Sequence, residues 1–266
     1  MKNFTLGRYM PLDSWMHSLD PRAKIVAMLL LMVAIFIPAG YFGYAILALV
    51  VALGIKLTKL KPNFIINAMK PMVFMLLFLL VINILVIKTG FLLVDIGGFK
   101  IYSDAFSQTF YIVIRLALMI VVTTLLTAST KPLDLTVGLE DLMEPLKKLH
   151  VPTHEIAMII SIALRFIPTL IEEAQRIMKA QASRGVDLEE GSLKEKMMCI
   201  LSLIVPLFVS AFQRAEDLAD AMEARGYIPD KKRTRYRQLK LGKRDYLLIA
   251  FCSCLLIGLI GISVVW

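Results

Sequence analysis

Between Lys24 and Lys56 the sequence carries no charged side chain, and a second stretch without charge runs from Tyr246 to Trp266. Runs of this length constrain the fold more than any other feature. A hydrophobic stretch of about 18 residues or more reads as a membrane span, because a helix must cover roughly 30 Å of hydrocarbon. Of the 266 residues 58% are hydrophobic and 19% are charged, below the roughly 25% charged content of soluble domains. The chain therefore reads as a polytopic membrane protein rather than a soluble domain with a large core. Its net charge of +9 fits Lys and Arg held at the cytoplasmic ends of spans, not a nucleic-acid surface. Cys199, Cys252 and Cys254 all lie in apolar stretches, with neither metal-ligand spacing nor a disulfide framework. No cleavable leader is recognised ahead of the first apolar run.

The stretch from Ile25 to Leu57 would be about 50 Å long as one helix, too long for one crossing. Pro38-Ala39-Gly40 interrupts it, so it reads as a helical hairpin of two short spans. Arg22 and Lys24 flank one end, and Lys56, Lys59 and Lys61 the other. Both ends then face the cytoplasm by the positive-inside rule. Pro71 to Ile87 reads as a third span and Phe106 to Ala128 as a fourth. Between them, Gly97-Gly98 separates two apolar segments and suggests a small β-hairpin outside the membrane. The fourth span carries Arg115. An ionisable residue inside a span is costly; this one, near the outer third, either snorkels or pairs within the bundle, or serves transport directly.

Beyond Lys131 the pattern changes. Leu135, Leu139, Leu142, Met143, Leu146 and Leu149 fall on one face of an amphipathic helix. A longer segment from Pro152 to Arg184 carries a polar stripe of Arg165, Thr169, Glu172, Arg176, Lys179 and Ser183, with Glu172 and Arg176 as an i,i+4 pair. Ser192 and Glu195 fit a capping box opening a further helix. Its charge-free part, Met197–Phe212, is roughly 24 Å long, short of a comfortable span. A crossing there would also export the run Lys231–Arg244, which has eight Lys/Arg and no acid. This helix is therefore expected on the cytoplasmic face, partly dipping into the membrane. Tyr246–Trp266 is the last span.

The expected fold is all-α and integral to the membrane. It has about five transmembrane helices and a cytoplasmic-side unit of long amphipathic helices. The regions are 1–130 with four spans, 131–229 for the cytoplasmic unit, and 230–266 for the basic linker and final span. The N-terminus is expected inside.

Within the cytoplasmic unit one helix ending is written twice, as Ser183-Arg184-Gly185 and Ala224-Arg225-Gly226. Each reads as a helix C-cap, with Gly in the left-handed conformation and Arg complementing the dipole. Each also holds one guanidinium at a rigid tip, suited to a carboxylate-lined groove. Two matching tips suit two matching grooves, hence a dimeric or pseudo-dimeric partner.

Together with "SLDPRAKI" (Asp20, Pro21, Arg22, Lys24), "RFIPTLIEEAQRIMKAQASRG" and "ADAMEARGY", these endings make nearly the whole chain resemble the transmembrane T-component of energy-coupling factor vitamin and metal importers. The resemblance implies a non-enzymatic coupling subunit of a bacterial cell membrane. In that family two Ala-Arg-Gly motifs end coupling helices that insert into grooves on two ABC-type ATPases, which bind the ATP and Mg. The helices relay motion to a separate substrate-capturing membrane S-component. Carried over, Arg184 and Arg225 are the docking arginines, with Gly185 and Gly226 ending the helices; Ala224 matches and Ser183 departs from Ala. Candidate S-component contacts are the apolar Leu139, Leu142, Met143, Met197, Met198 and Met222, methionine suiting an adaptable surface.

No phosphate-loop sequence is present, so no cofactor is assigned to this chain. His154-Glu155 lacks a second His at zincin spacing, and His17, His150 and His154 read as surface or structural histidines rather than ligands. No catalytic residue and no metal ligand is assigned. Asn3-Phe4-Thr5 fits a glycosylation sequon but lies at the end expected inside. A lipid-phosphate enzyme using Arg165, Arg184 and Arg225 would need paired carboxylates beside them; Asp187, Glu189 and Glu190 do not form such a pair in sequence. A complete secondary carrier would need paired broken helices in two halves.

Overall fold

The computed structural model describes residues 9–38, 40–96, 99–145, 152–184, 193–228 and 239–265. Several expectations fall outside them: the Gly97-Gly98 turn, Leu146 and Leu149, His150, Gly185, the Ser192 half of the capping box, most of the basic run, Asn3-Phe4-Thr5 and Trp266. The elements are α1 (Pro21–Phe36), α2 (Gly40–Thr58), α3 (Pro62–Val86), β1 (Leu92–Ile96), β2 (Phe99–Tyr102), α4 (Ser103–Ser129), α5 (Pro132–Met143), α6 (Thr153–Ser183), α7 (Leu193–Ala224) and α8 (Lys243–Val265). Apart from the two strands, all the regular structure described is helical. The chain divides into two compact units, Met1–Thr153 with Leu239–Trp266, and His154–Gln238.

The helical hairpin forms where Pro38 implies it. Ile37 caps α1 in an extended conformation, as the residue before a proline prefers. The β-hairpin also forms: β1 and β2 pair antiparallel with Asp95 opposite Lys100 and Ile96 opposite Phe99. A bulge lies between Leu92 and Val94. The third helix departs from expectation. It begins at Pro62, not Pro71, and keeps both Lys70 and Pro71 in its interior. Pro62 occupies the first turn, where a missing N–H costs nothing, and this overrode the later proline as a start signal. The expected fourth span gains about a turn, because Ser103 and Asp104 start α4 directly from β2.

Among the described residues, six helices are long and apolar enough to cross a membrane: α2, α3, α4, α6, α7 and α8. The set differs from the five spans expected. α1, with 16 residues, falls short of the roughly 20 that a crossing needs. α6 and α7 qualify, because α7 does not stop with the charge-free stretch at Phe212 but continues through Arg214 to Ala224. Both are the strongly amphipathic members of the set.

In the first unit a narrow core runs through Ile35 of α1, Tyr44, Leu47 and Val51 of α2, Leu118, Val122 and Leu125 of α4, and Leu259 of α8. The outer faces are as oily as the core. Phe74 on α3 is 81% exposed, and Phe78, Val81 and Leu85 lie open beside it. A water-soluble monomer does not carry such a surface. In a bilayer it is the lipid contact, so the chain is a multi-pass membrane protein.

Charged groups at one end of this unit hold four of its helices together. The Asp20 carboxylate caps α1 by accepting from the Arg22 backbone N–H at 2.9 Å. It also receives Nε and Nη2 of the Arg22 guanidinium at 3.2 and 3.1 Å. Nη1 of Arg22 reaches Asp141 on α5 at 3.5 Å. The Asp20 backbone N–H donates to Asp245 Oδ1 at 2.9 Å, while Asp245 Oδ2 accepts from the Gly242 N–H at 2.7 Å. The second contact caps α8 from its first turn; the first ties α8 to the start of α1. Lys24 Nζ donates to the Ser129 carbonyl and the Thr130 hydroxyl at the end of α4. α5 lies so close on α1 that a Cβ at Gly138 would stand 3.1 Å from Pro21 Cβ and 3.3 Å from the Arg22 nitrogen.

Asp245→Ala removes two acceptors from this clasp, those for the Asp20 and Gly242 N–H groups. Hydrogen bonds to a charged group contribute about 1.5–3 kcal/mol each, so the loss of two is expected at about 3–6 kcal/mol. It is measured as a lower midpoint of thermal unfolding in detergent, with Asp245→Asn falling between. An unchanged midpoint in the alanine variant would remove the clasp as a stabilising contact. Gly138→Val is expected to push α5 off α1, read as increased proteolysis of the α5 segment.

Candidate docking tips and the helix crossing behind them

Arg184 and Arg225 stand at helix termini, and each is exposed. On α6 the last turn tightens: the Arg184 N–H donates to the Gln181 carbonyl at 3.0 Å, and Ser183 Oγ donates to the Lys179 carbonyl at 3.0 Å. The serine hydroxyl thus turns back onto its own helix, leaving the tip to the guanidinium. Gly185 lies outside the described residues. On α7 the stop is complete. Gly226 has φ +73°, its N–H donates to the Glu223 carbonyl at 2.8 Å, and the Tyr227 N–H reaches the Met222 carbonyl at 2.9 Å. These are the two bonds of a Schellman cap, which needs a left-handed residue after the helix. Nothing lies within 4 Å of a Cβ built at Gly226, so glycine is required there by backbone conformation and not by crowding.

Behind the tips the two helices of the second unit are joined by polar groups. Glu173 of α6 forms an ion pair with Arg214 of α7. Its other oxygen accepts from Ser210 Oγ at 2.7 Å. Toward the tip of α6, Gln181 Nε2 donates to the Ser202 carbonyl at 3.4 Å. The bonded positions rise along α6 as they fall along α7, so the helices run antiparallel through this contact. Sequence spacing pointed to Glu172–Arg176 within α6. Among the described residues that pair does not form, and the neighbouring Glu173 makes the link between helices. The available signal was Arg214, the first charge after the apolar run of α7, which needs a partner on the helix packed against it.

The remaining candidates divide between the units. Leu139, Leu142 and Met143 lie on α5 in the first unit; Leu139 is exposed and the other two are half-buried. Met197 and Met198 lie on α7, 64% and 63% exposed. They begin an open apolar stripe that continues through Leu201, Val205, Phe208 and Phe212. Met222 is half-buried and lends its carbonyl to the cap. Asp20, Pro21 and Arg22 form the clasp already described. Arg165 is exposed on α6, and Asp187, Glu189 and Glu190 lie outside the described residues. His17 is structural as expected, held by Ser14 Oγ at 2.7 Å and the Met10 carbonyl at 2.9 Å.

The family described as cobalt transport protein matches residues 13–236. The chain is 47% identical over 242 residues to the energy-coupling factor transporter transmembrane protein EcfT of Macrococcus caseolyticus, covering 91% of each chain. It is 44% identical over 245 residues to that of Bacillus subtilis, covering 92% of each. To that of Clostridium kluyveri it is 39% identical over 269 aligned positions, covering 100% of this chain and 98% of the relative. The match thus includes the clasp, the helix crossing and both tips, and the chain belongs to the family of energy-coupling factor transporter transmembrane proteins.

Proposed function

We propose that this chain is the non-catalytic coupling subunit of an ATP-driven importer, linking two ABC-type ATPases to a membrane S-component that captures a vitamin or metal. The observation that carries the reading is the pair of exposed arginines at the tips of α6 and α7, one behind a complete glycine cap and both behind one polar crossing. A rigid cationic tip suits an acidic groove, since a planar guanidinium held by its helix loses little freedom on pairing. ATP and Mg belong to the partner ATPases in this reading. The tips differ at Ser183 and Ala224, which favours two different ATPases. The N-terminus faces the cytoplasm of a bacterial cell.

The apolar stripe starting at Met197 and Met198, with Leu139, Leu142, Met143 and Met222, supplies the S-component contact. Thioether side chains adapt to more than one partner surface. The Glu173–Arg214 pair fixes how the two tip-bearing helices cross, and so positions both arginines for docking.

Affinity purification from native membranes, with mass spectrometry of the associated chains, tests the docking role. The Arg184→Glu/Arg225→Glu variant is expected to lose the ATPases, with each single reversal weakening binding at least about tenfold. ATPases retained by the double variant at equal expression would sink the role of the tips. Glu173→Arg and Arg214→Glu are each expected to weaken docking, and the swapped double variant to recover most of it, because coupled charges are non-additive. No recovery in the swap would count against the crossing as a positioning contact. Met198→Lys is expected to release the S-component while the ATPases stay bound.

A further inference from the structure

We propose that Arg115 holds the phosphodiester headgroup of an anionic phospholipid at the open end of the seam between α1, α2 and α4. Arg115 lies on the face of α4 that packs on the α1–α2 hairpin, in line with Tyr111, Leu118 and Val122. Below it the seam is filled by Leu118, Val122, Leu125 and their partners on α2. Above it the hairpin stops, since α1 ends at Phe36 and α2 begins at Gly40. The guanidinium therefore sits where the seam opens, at the end of the hairpin away from Lys56.

Its contacts leave the positive charge uncompensated. Nε and Nη2 donate to the Tyr44 hydroxyl at 3.1 and 2.9 Å, and that hydroxyl donates to the Ile35 carbonyl at 3.4 Å. The Phe36 ring lies 5.6 Å from Cζ. Every one of these partners is neutral. Among the described residues no carboxylate pairs with Arg115, and Nη1 has no hydrogen-bond partner. One edge of the guanidinium is thus pinned by Tyr44. The other edge, Nη1 with the outer N–H of Nη2, is the fork that grips two oxygens of a phosphate. An unneutralised charge at membrane depth costs at least about 2.5–3.5 kcal/mol, so an anion from outside the chain is favoured.

The surroundings indicate where that anion comes from. Tyr41 and Tyr111 stack at 4.3 Å, Tyr44 lies 5.7 Å from Tyr111, and Phe36, Tyr41 and Phe42 are exposed. Tyrosines are enriched at the level of the lipid headgroups. α1 is about 24 Å long at 1.5 Å per residue, against about 30 Å of hydrocarbon. A bilayer meets a short element by thinning locally, which brings headgroups down to the hairpin end. A lipid with one net negative charge neutralises Arg115; a zwitterionic lipid brings its own cation.

The test follows lipid retention by the purified wild-type protein, with whatever subunits accompany it, after delipidation and addition of phosphatidylglycerol or phosphatidylcholine. Native mass spectrometry is expected to show one phosphatidylglycerol held about tenfold more strongly than phosphatidylcholine, and Arg115→Gln is expected to remove that one lipid. Tyr44→Phe, which leaves the charge, is expected to weaken it. Photoreactive phosphatidylglycerol, labelled near its headgroup, is expected to cross-link the wild type at Tyr41, Tyr44 or Tyr111, and inorganic phosphate at millimolar concentration not to compete. Undiminished retention in Arg115→Gln, cross-links confined to other segments, or displacement by inorganic phosphate would each overturn the proposal. So would a cross-link showing a partner protein's carboxylate at Arg115. The wild-type cross-link map decides the matter even if the glutamine variant fails to fold.

Discussion

In hydrocarbon no water is available to satisfy a backbone N–H or carbonyl, so every such group must be paired within the chain. The rest of the first unit follows from this constraint. Its membrane elements are helices, because a helix satisfies its own backbone. Its apolar side chains point outward as readily as inward, since lipid tails solvate them as well as a core does. Phe74 and Phe78 are open for this reason. What remains to be satisfied are the helix ends and the charges, and these gather at the ends of the bundle. Asp20 and Asp245 cap α1 and α8, and one bond between them also ties the two helices together.

Apolar contact contributes little specificity where solvent and core are alike. Helix association in lipid depends on close packing, hydrogen bonds and small residues. The structure uses all three at one place. Gly138 lets α5 lie against Pro21, Arg22 spans from Asp20 to Asp141, and Lys24 reaches the end of α4. With the Asp20 backbone N–H bound to Asp245 of α8, four helices are thereby indexed to one another by groups within five residues of sequence. The Asp-Pro-Arg motif is thus a structural register for the bundle.

The second unit applies the same chemistry to a different task. α6 and α7 are amphipathic along their length, and among the described residues an ion pair with a serine beside it, together with Gln181 on the Ser202 carbonyl, links them. A partly buried ion pair among apolar side chains fixes register more sharply than oily contact can, because leaving either charge unpaired is costly. Each helix then ends on an arginine set by backbone geometry, most fully at Gly226.

The sequence by itself determined what can be read along one strand of chain. Charge-free runs gave a membrane protein, Pro38 split the first hairpin, Gly97-Gly98 separated two strands, and the repeated Arg-Gly gave two helix tips. Each is a local signal acting within a few residues, where propensity and periodicity suffice. Boundaries slipped where two local signals competed, as at Pro62 and Pro71. Only the tertiary structure decided partners. It chose Glu173 over Glu172 for Arg214, joined Asp245 to Asp20 across 225 positions, and set Tyr44 against Arg115. Those choices depend on how far one helix slides or turns against another. That register is fixed by the sum of many packed side chains, and no single stretch of sequence records it.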